Sequence, residues 1–133
     1  MTSQVAYLGD LRTSSKHLQS GSIIISDAPV DNHGKGEAFS PTDTVANALA
    51  SCILTTMGIK ADTMAIDLSG STADVTKYMA SEPRRISKVE IVFKMSISVD
   101  DKTKKILERI AYTCPVFYSL HPDVEKAITF NWK

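Results

Sequence analysis

The order of residue patterns along this chain predicts an α+β fold, β-β-β-α-β-β-α-α-β, with a sheet wrapped round a central buried helix. Three observations lead there. The first third holds short runs rich in Val, Ile, Tyr and Thr, divided by turn residues. A helix start then opens a run that is apolar on every side. Last comes a long alternating segment followed by an amphipathic one.

The elements follow in order. Gln4 to Gly9, Arg12 to Leu18 and Ser22 to Ser26 read as strands, separated by Gly-Asp and Ser-Gly turns. The stretch from Asp27 to Phe39, with Pro29, Asn32, Gly34 and Gly36, reads as a loop. Ser40-Pro41-Thr42-Asp43 is a helix start: Ser40 the N-cap, Pro41 at the first position, Asp43 in the first turn beside the positive dipole end. The helix runs to about Ile66, and its first half shows almost no polar stripe (Val45, Ala46, Leu49, Ile53, Met57, Ile59). Asp67 to Met79 and Ile86 to Val99 read as strands, the second turning Val89, Ile91, Phe93, Met95 and Ile97 to one face. Pro83 keeps the connector between them out of any central strand. Asp101 to Tyr112 is an amphipathic helix, Cys114-Pro115-Val116 opens a short helical turn, and Val124 to Trp132 closes the chain as a strand. One sheet from a chain of this size covers one side of an all-apolar helix, so a second copy is expected on the other, in an intertwined homodimer.

The bulk properties restrict function. A chain of 133 residues is expected to form a single domain, residues 1–133, with a core that needs neither disulfide nor metal. Fifteen basic residues balance fifteen acidic ones, so no nucleic-acid or anionic-membrane partner is expected. The basic clusters at Arg84–Arg85–Lys88 and Lys102–Lys104–Lys105 read as solvated faces. The N-terminus lacks the pattern of a signal peptide and no stretch reads as a membrane span, so a cytoplasmic location is expected, where two cysteines are thiols.

The chemistry-bearing candidates are Cys52 and Cys114. A free cysteine in an apolar helix is most simply a small buried hydrophobe, which is one reading of Cys52. Cys114 stands immediately before Pro115, so its sulfur would face unsatisfied backbone N–H groups; that setting favours a thiolate and a lowered pKa, although a purely structural thiol fits there as well. Neither cysteine belongs to a C-x-x-C pair, and His17, His33 and His121 lie at no metal-ligand spacing from them, so neither metal nor cofactor is expected. Gly34-Lys35-Gly36-Glu37 lacks the strand-to-helix context of a phosphate loop, and no G-x-S-x-G elbow is present.

Together, the run Ser40-Pro41-Thr42-Asp43-Thr44-Val45-Ala46-Asn47-Ala48-Leu49-Ala50-Ser51-Cys52 and the later Ala111-Tyr112-Thr113-Cys114-Pro115-Val116 resemble the two-cysteine signature of the OsmC/Ohr superfamily. The resemblance covers the whole chain and implies that family's swapped homodimer and a thiol-dependent peroxidase of oxidative-stress defence. Cys52 would attack an organic hydroperoxide, Cys114 would resolve the product as a disulfide, and an unidentified dithiol reductant would close the cycle. Where well-studied branches carry a Glu ten residues before the first cysteine, this chain has Thr42, and the acid stands at Asp43. The family's thiol-activating arginine maps to Arg12, with Arg84 and Arg85 as rivals. Met57, Phe117 and Tyr118 would favour organic substrates. The Thr42 departure leaves an alternative, a structural or small-ligand-binding protein of the same fold without peroxidase activity. Position and resemblance disagree on which thiol ionises: a helix start favours Cys114, and Cys52 needs a neighbouring guanidinium.

Overall fold

The computed structural model describes residues 1–133, which pack as two compact units, residues 1–45 and 46–133. The element order is the one expected: β1 (Ser3–Gly9), β2 (Arg12–His17), β3 (Ile23–Asp27), a single 3₁₀ turn (Val30–Asn32), α1 (Pro41–Asp62), β4 (Thr72–Ala80), β5 (Arg85–Lys94), α2 (Asp101–Ala111), α3 (Pro115–Ser119) and β6 (Glu125–Asn131). The strands form two three-stranded sheets, β1-β2-β3 and β4-β5-β6, in place of the one wrapped sheet expected.

The first unit is an antiparallel meander. Gly9 pairs with Arg12, leaving Asp10 and Leu11 as a two-residue loop with both φ angles positive (51° and 61°), the hairpin turn whose twist matches that of the strands. Val5, Tyr7 and Ile24 stand on one face of this sheet and Ile23 and Ile25 on the other, by the strand register, and all five are exposed. The loop after β3 folds tightly on itself. A Cβ on Gly34 would meet the Ala28 carbonyl oxygen at 1.7 Å, so glycine is required there for close packing.

The second unit is built on β5. Its inward residues Val89, Ile91 and Phe93, continued by Met95, are buried in one cluster with Leu107 and Ala111 of α2 and a stripe of α1. Phe93 stacks on Phe130 of β6 with ring centroids 5.0 Å apart. β4 joins β5 as an antiparallel hairpin, whereas β6 returns parallel to β5, paired from Lys88↔Glu125 to Lys94↔Asn131, after the α2–α3 crossover. Asp100 caps α2, its carboxylate accepting from the Thr103 N–H at 2.7 Å.

One expectation about α1 is corrected: its length and composition are sufficient to cross a bilayer, contrary to the reading that no stretch would be. Within one chain the core covers one side of the helix. Ala46, Leu49, Ala50, Ile53, Met57 and Ala61 recur at helical spacing and lie in the core, while Ile59 is exposed. An all-apolar helix can present only one stripe to the core that a single copy provides.

Candidate thiol site

The site begins with the two cysteines, both free. Cys52 sits in the middle of α1, half-buried and packed against the core cluster. Cys114 is fully buried and caps α3: it has extended backbone angles, Pro115 follows at the first helical position, and its sulfur accepts from the Phe117 N–H at 3.2 Å. The second unit thus brings the two thiols together, and Cys52 acts on Cys114 through both a hydrogen bond and charge.

The titration of Cys114 runs against its helix position. Burial pushes the thiol up, the Phe117 N–H pulls it down, and the hydrogen bond and charge of Cys52 push it up again. The expected low pKa is therefore not found at Cys114. The N–H groups of Phe117 and Val116 at the start of this five-residue helix pull the thiol down, and this does not compensate for removing a thiolate from water.

Beside the pair, Tyr112, Phe117 and Tyr118 form an edge-to-face series with centroids 5.7 and 6.3 Å apart, and Tyr118 is largely exposed. Met57, expected to be an apolar neighbour of the reacting thiol, is wholly committed to the core.

The remaining candidates occupy the first unit. Arg12 and Asp27 are direct cross-strand partners. The guanidinium grips the carboxylate with two bonds, Nε to Oδ1 at 2.7 Å and Nη2 to Oδ2 at 2.8 Å, and Nη2 reaches Glu37 Oε2 at 2.8 Å. Asp27 is 2% exposed and also accepts the Glu37 N–H at 3.1 Å. The hydrogen bonds from Arg12 hold the Asp27 carboxyl below its ordinary range against the opposing effect of burial. In return Asp27, then Glu37, raise Arg12 above its ordinary value. Asp43 lies in a capping box: its carboxylate accepts the Ser40 N–H at 2.9 Å, and Ser40 Oγ accepts the Asp43 N–H at 3.0 Å. Thr42 Oγ1 lies 3.1 Å from Ser40 Oγ. Arg85 folds back on its own connector, donating to the Ser81 and Pro83 carbonyls.

Asp27 and Glu37 went unnoticed in the sequence. The available signal was an acid ending the apolar run Ile23-Ile24-Ile25, in register with an arginine on the neighbouring strand. No His, Cys, Asp and Glu side chains gather as a metal-binding group.

Two free thiols at one core cluster, one on the central helix and one capping a short helix, stand in an α+β fold. The chain belongs to the family of OsmC-like proteins, whose model matches residues 34–128. Among solved structures, it resembles a Psychrobacter arcticus protein provisionally described as an osmotic stress induced and detoxification response protein. The two share 57% identity with a TM-score of 0.96, over 98% of this chain and 96% of that one. The fold also matches an organic hydroperoxide resistance protein OsmC of Legionella pneumophila (17% identity, TM-score 0.73, 98% and 97% covered). An OsmC-like protein of Mycoplasma pneumoniae matches as well (15% identity, TM-score 0.81, 98% and 94% covered). No curated protein sequence matches the chain.

Proposed function

We propose that this protein is a thiol-dependent peroxidase that reduces organic hydroperoxides in the cytoplasm as part of a stress response. The observation that carries the reading is the pair of free thiols that the second unit brings to one core cluster, Cys52 on α1 and Cys114 at the start of α3. Family membership and hydroperoxide-resistance neighbours support a stress-related, peroxidase-type role.

In this mechanism the Cys52 thiolate attacks one peroxide oxygen, the O–O bond breaks, and the alkoxide leaves and takes up a proton as the alcohol. Cys52 becomes a sulfenic acid. The Cys114 sulfur then attacks the Cys52 sulfur, the S–O bond breaks, and the hydroxyl departs with the Cys114 proton as water, leaving a disulfide. A dithiol reductant restores both thiols and is itself oxidised to a disulfide. Cys114, fully buried and with its thiol pushed up by that burial, suits the second role, and the half-buried Cys52 suits the first. Arg12 supplies the cation that a half-buried thiolate needs, and its guanidinium is charged at every working pH. Asp43 contributes by fixing the first turn of the helix that carries Cys52. A second copy of the chain covers the exposed apolar faces of β1–β3 and Ile59 of α1, making a homodimer.

The test is consumption of an alkyl hydroperoxide with a dithiol as reductant. Cys52→Ser should abolish it, and Cys114→Ser should leave a sulfenic acid on Cys52 that a dione probe labels. Turnover surviving Cys52→Ser but lost in Cys114→Ser would reverse the roles. One observation favours the second reading, a binding protein of the same fold: Arg12 is already held by two carboxylates. If neither thiol outpaces a free cysteine, that reading stands.

A further inference from the structure

The helix α2 sorts its basic residues into two groups. Lys104 turns toward Asp101, with 4.0 Å between Nζ and Oδ1. Lys102, Lys105 and Arg109 follow one another at spacings of three and four, so they share the face opposite the buried Leu107 and Ala111. All three are exposed, and half-buried Ile106 lies among them. The four side chains line a groove of about 360 Å³. The acids near this face are committed elsewhere: Asp100 caps the helix through the Thr103 N–H, and Glu108 accepts the Trp132 indole N–H at 2.8 Å. Lys102 reaches Asp100 only as a charge at a distance, and no ion pair neutralises Lys105 or Arg109.

We propose that this face of α2 docks an acidic segment of a partner protein, whose carboxylates pair with Lys102, Lys105 and Arg109 while one apolar side chain seats on Ile106. The complementarity is one of charge and length. From Lys102 to Arg109 the helix advances about 10 Å, a row too long for one phosphate and matched by successive Asp and Glu side chains of a peptide. Arg109 offers a fork that takes a carboxylate with two bonds, and the two lysines add point charges. Ile106 gives the groove an apolar seat that a phosphate backbone does not use. A net charge of +0 also lacks the broad positive field of a nucleic-acid binder. Docking here is independent of the thiol chemistry.

The experiment titrates the full-length protein into a dye-labelled peptide, Glu-Glu-Leu-Glu-Glu, and follows fluorescence anisotropy. Binding should saturate and should weaken as salt rises from about 0.01 to about 0.15 M. Lys102→Gln, Lys105→Gln and Arg109→Gln should each weaken it roughly two- to fivefold, and the triple variant about tenfold or more. These side chains are exposed, so the variants should keep the parent's circular dichroism. Lys104→Gln removes the same charge away from the groove and should leave binding unchanged. Glu-Glu-Ser-Glu-Glu should bind more weakly than the leucine peptide, and Gln-Gln-Leu-Gln-Gln not at all. No binding of the acidic peptide at millimolar concentration, or equal binding by the triple variant, overturns the docking site. A loss in Lys104→Gln as large as that in Lys105→Gln overturns it too, because net charge alone would then explain the binding. Tighter binding of inorganic triphosphate or a duplex oligonucleotide than of the peptide would make the face a phosphate site and overturn the acidic segment as its occupant.

Discussion

Removing the capping box at the start of α1 separates a structural account of Asp43 from a chemical one. Ser40 is 1% exposed and satisfies the Asp43 N–H at 3.0 Å, while the Asp43 carboxylate satisfies the Ser40 N–H at 2.9 Å. Ser40→Ala removes one acceptor beside two orphan donors, which costs about 1 kcal/mol, with a range of about 0.5–2. Asp43→Ala removes the reciprocal acceptor and a negative charge at the positive helix end, again about 1 kcal/mol. The double variant should lose less than the sum, because both bonds belong to one box. For a chain of this size each single change lowers the melting temperature by roughly 3–5 °C. Urea unfolding followed by circular dichroism, at one fixed protein concentration, measures these losses, and peroxide consumption well below the transition is compared in parallel. Capping predicts that Asp43→Ala keeps activity within a few-fold of the parent. A hundredfold loss of turnover with an unchanged unfolding midpoint would place Asp43 in the chemistry and refute the capping explanation.

Further outcomes follow from the same structure. The folded Asp27 carboxyl titrates below its unfolded value of about 3.9, so its contribution to stability is complete above that pH and fades as pH falls through the folded value. The parent should therefore lose stability below about pH 4 more steeply than Asp27→Asn, as read from unfolding midpoints across pH. Cys114, pushed up by burial, should resist alkylation near neutral pH in the folded protein and react freely on unfolding; rapid folded-state modification would contradict its burial. Sedimentation at low micromolar concentration should give about twice the 14.5 kDa chain mass, and a well-folded monomer would refute the covering of the exposed apolar faces by a second copy.

Much of the fold was legible because its signals are local. Ser40-Pro41 placed the start of α1, the alternation through Val89, Ile91 and Phe93 gave the buried face of β5, and Cys114-Pro115 marked the start of α3. Less legible were features that depend on partners distant in sequence. The division into two sheets and the parallel pairing of β6 with β5 both depend on which strands meet, which no local pattern encodes. The partners of Arg12 depend on the β2–β3 register and on a loop folded back by Gly34. The two thiols were legible as residues, but not the balance at Cys114, where burial outweighs the backbone N–H groups of Phe117 and Val116. Composition marked α1 as apolar on every side, and one copy of the chain supplies core for one stripe of it.

The most direct measurement is to treat the reduced protein with one equivalent of an alkyl hydroperoxide and map the product by peptide mass analysis without reduction. The predicted result is loss of both free thiols, one equivalent of alcohol, and a Cys52–Cys114 disulfide within a single chain. The contradicting result is intact hydroperoxide with both thiols still free, or oxidation that leaves the two cysteines unjoined.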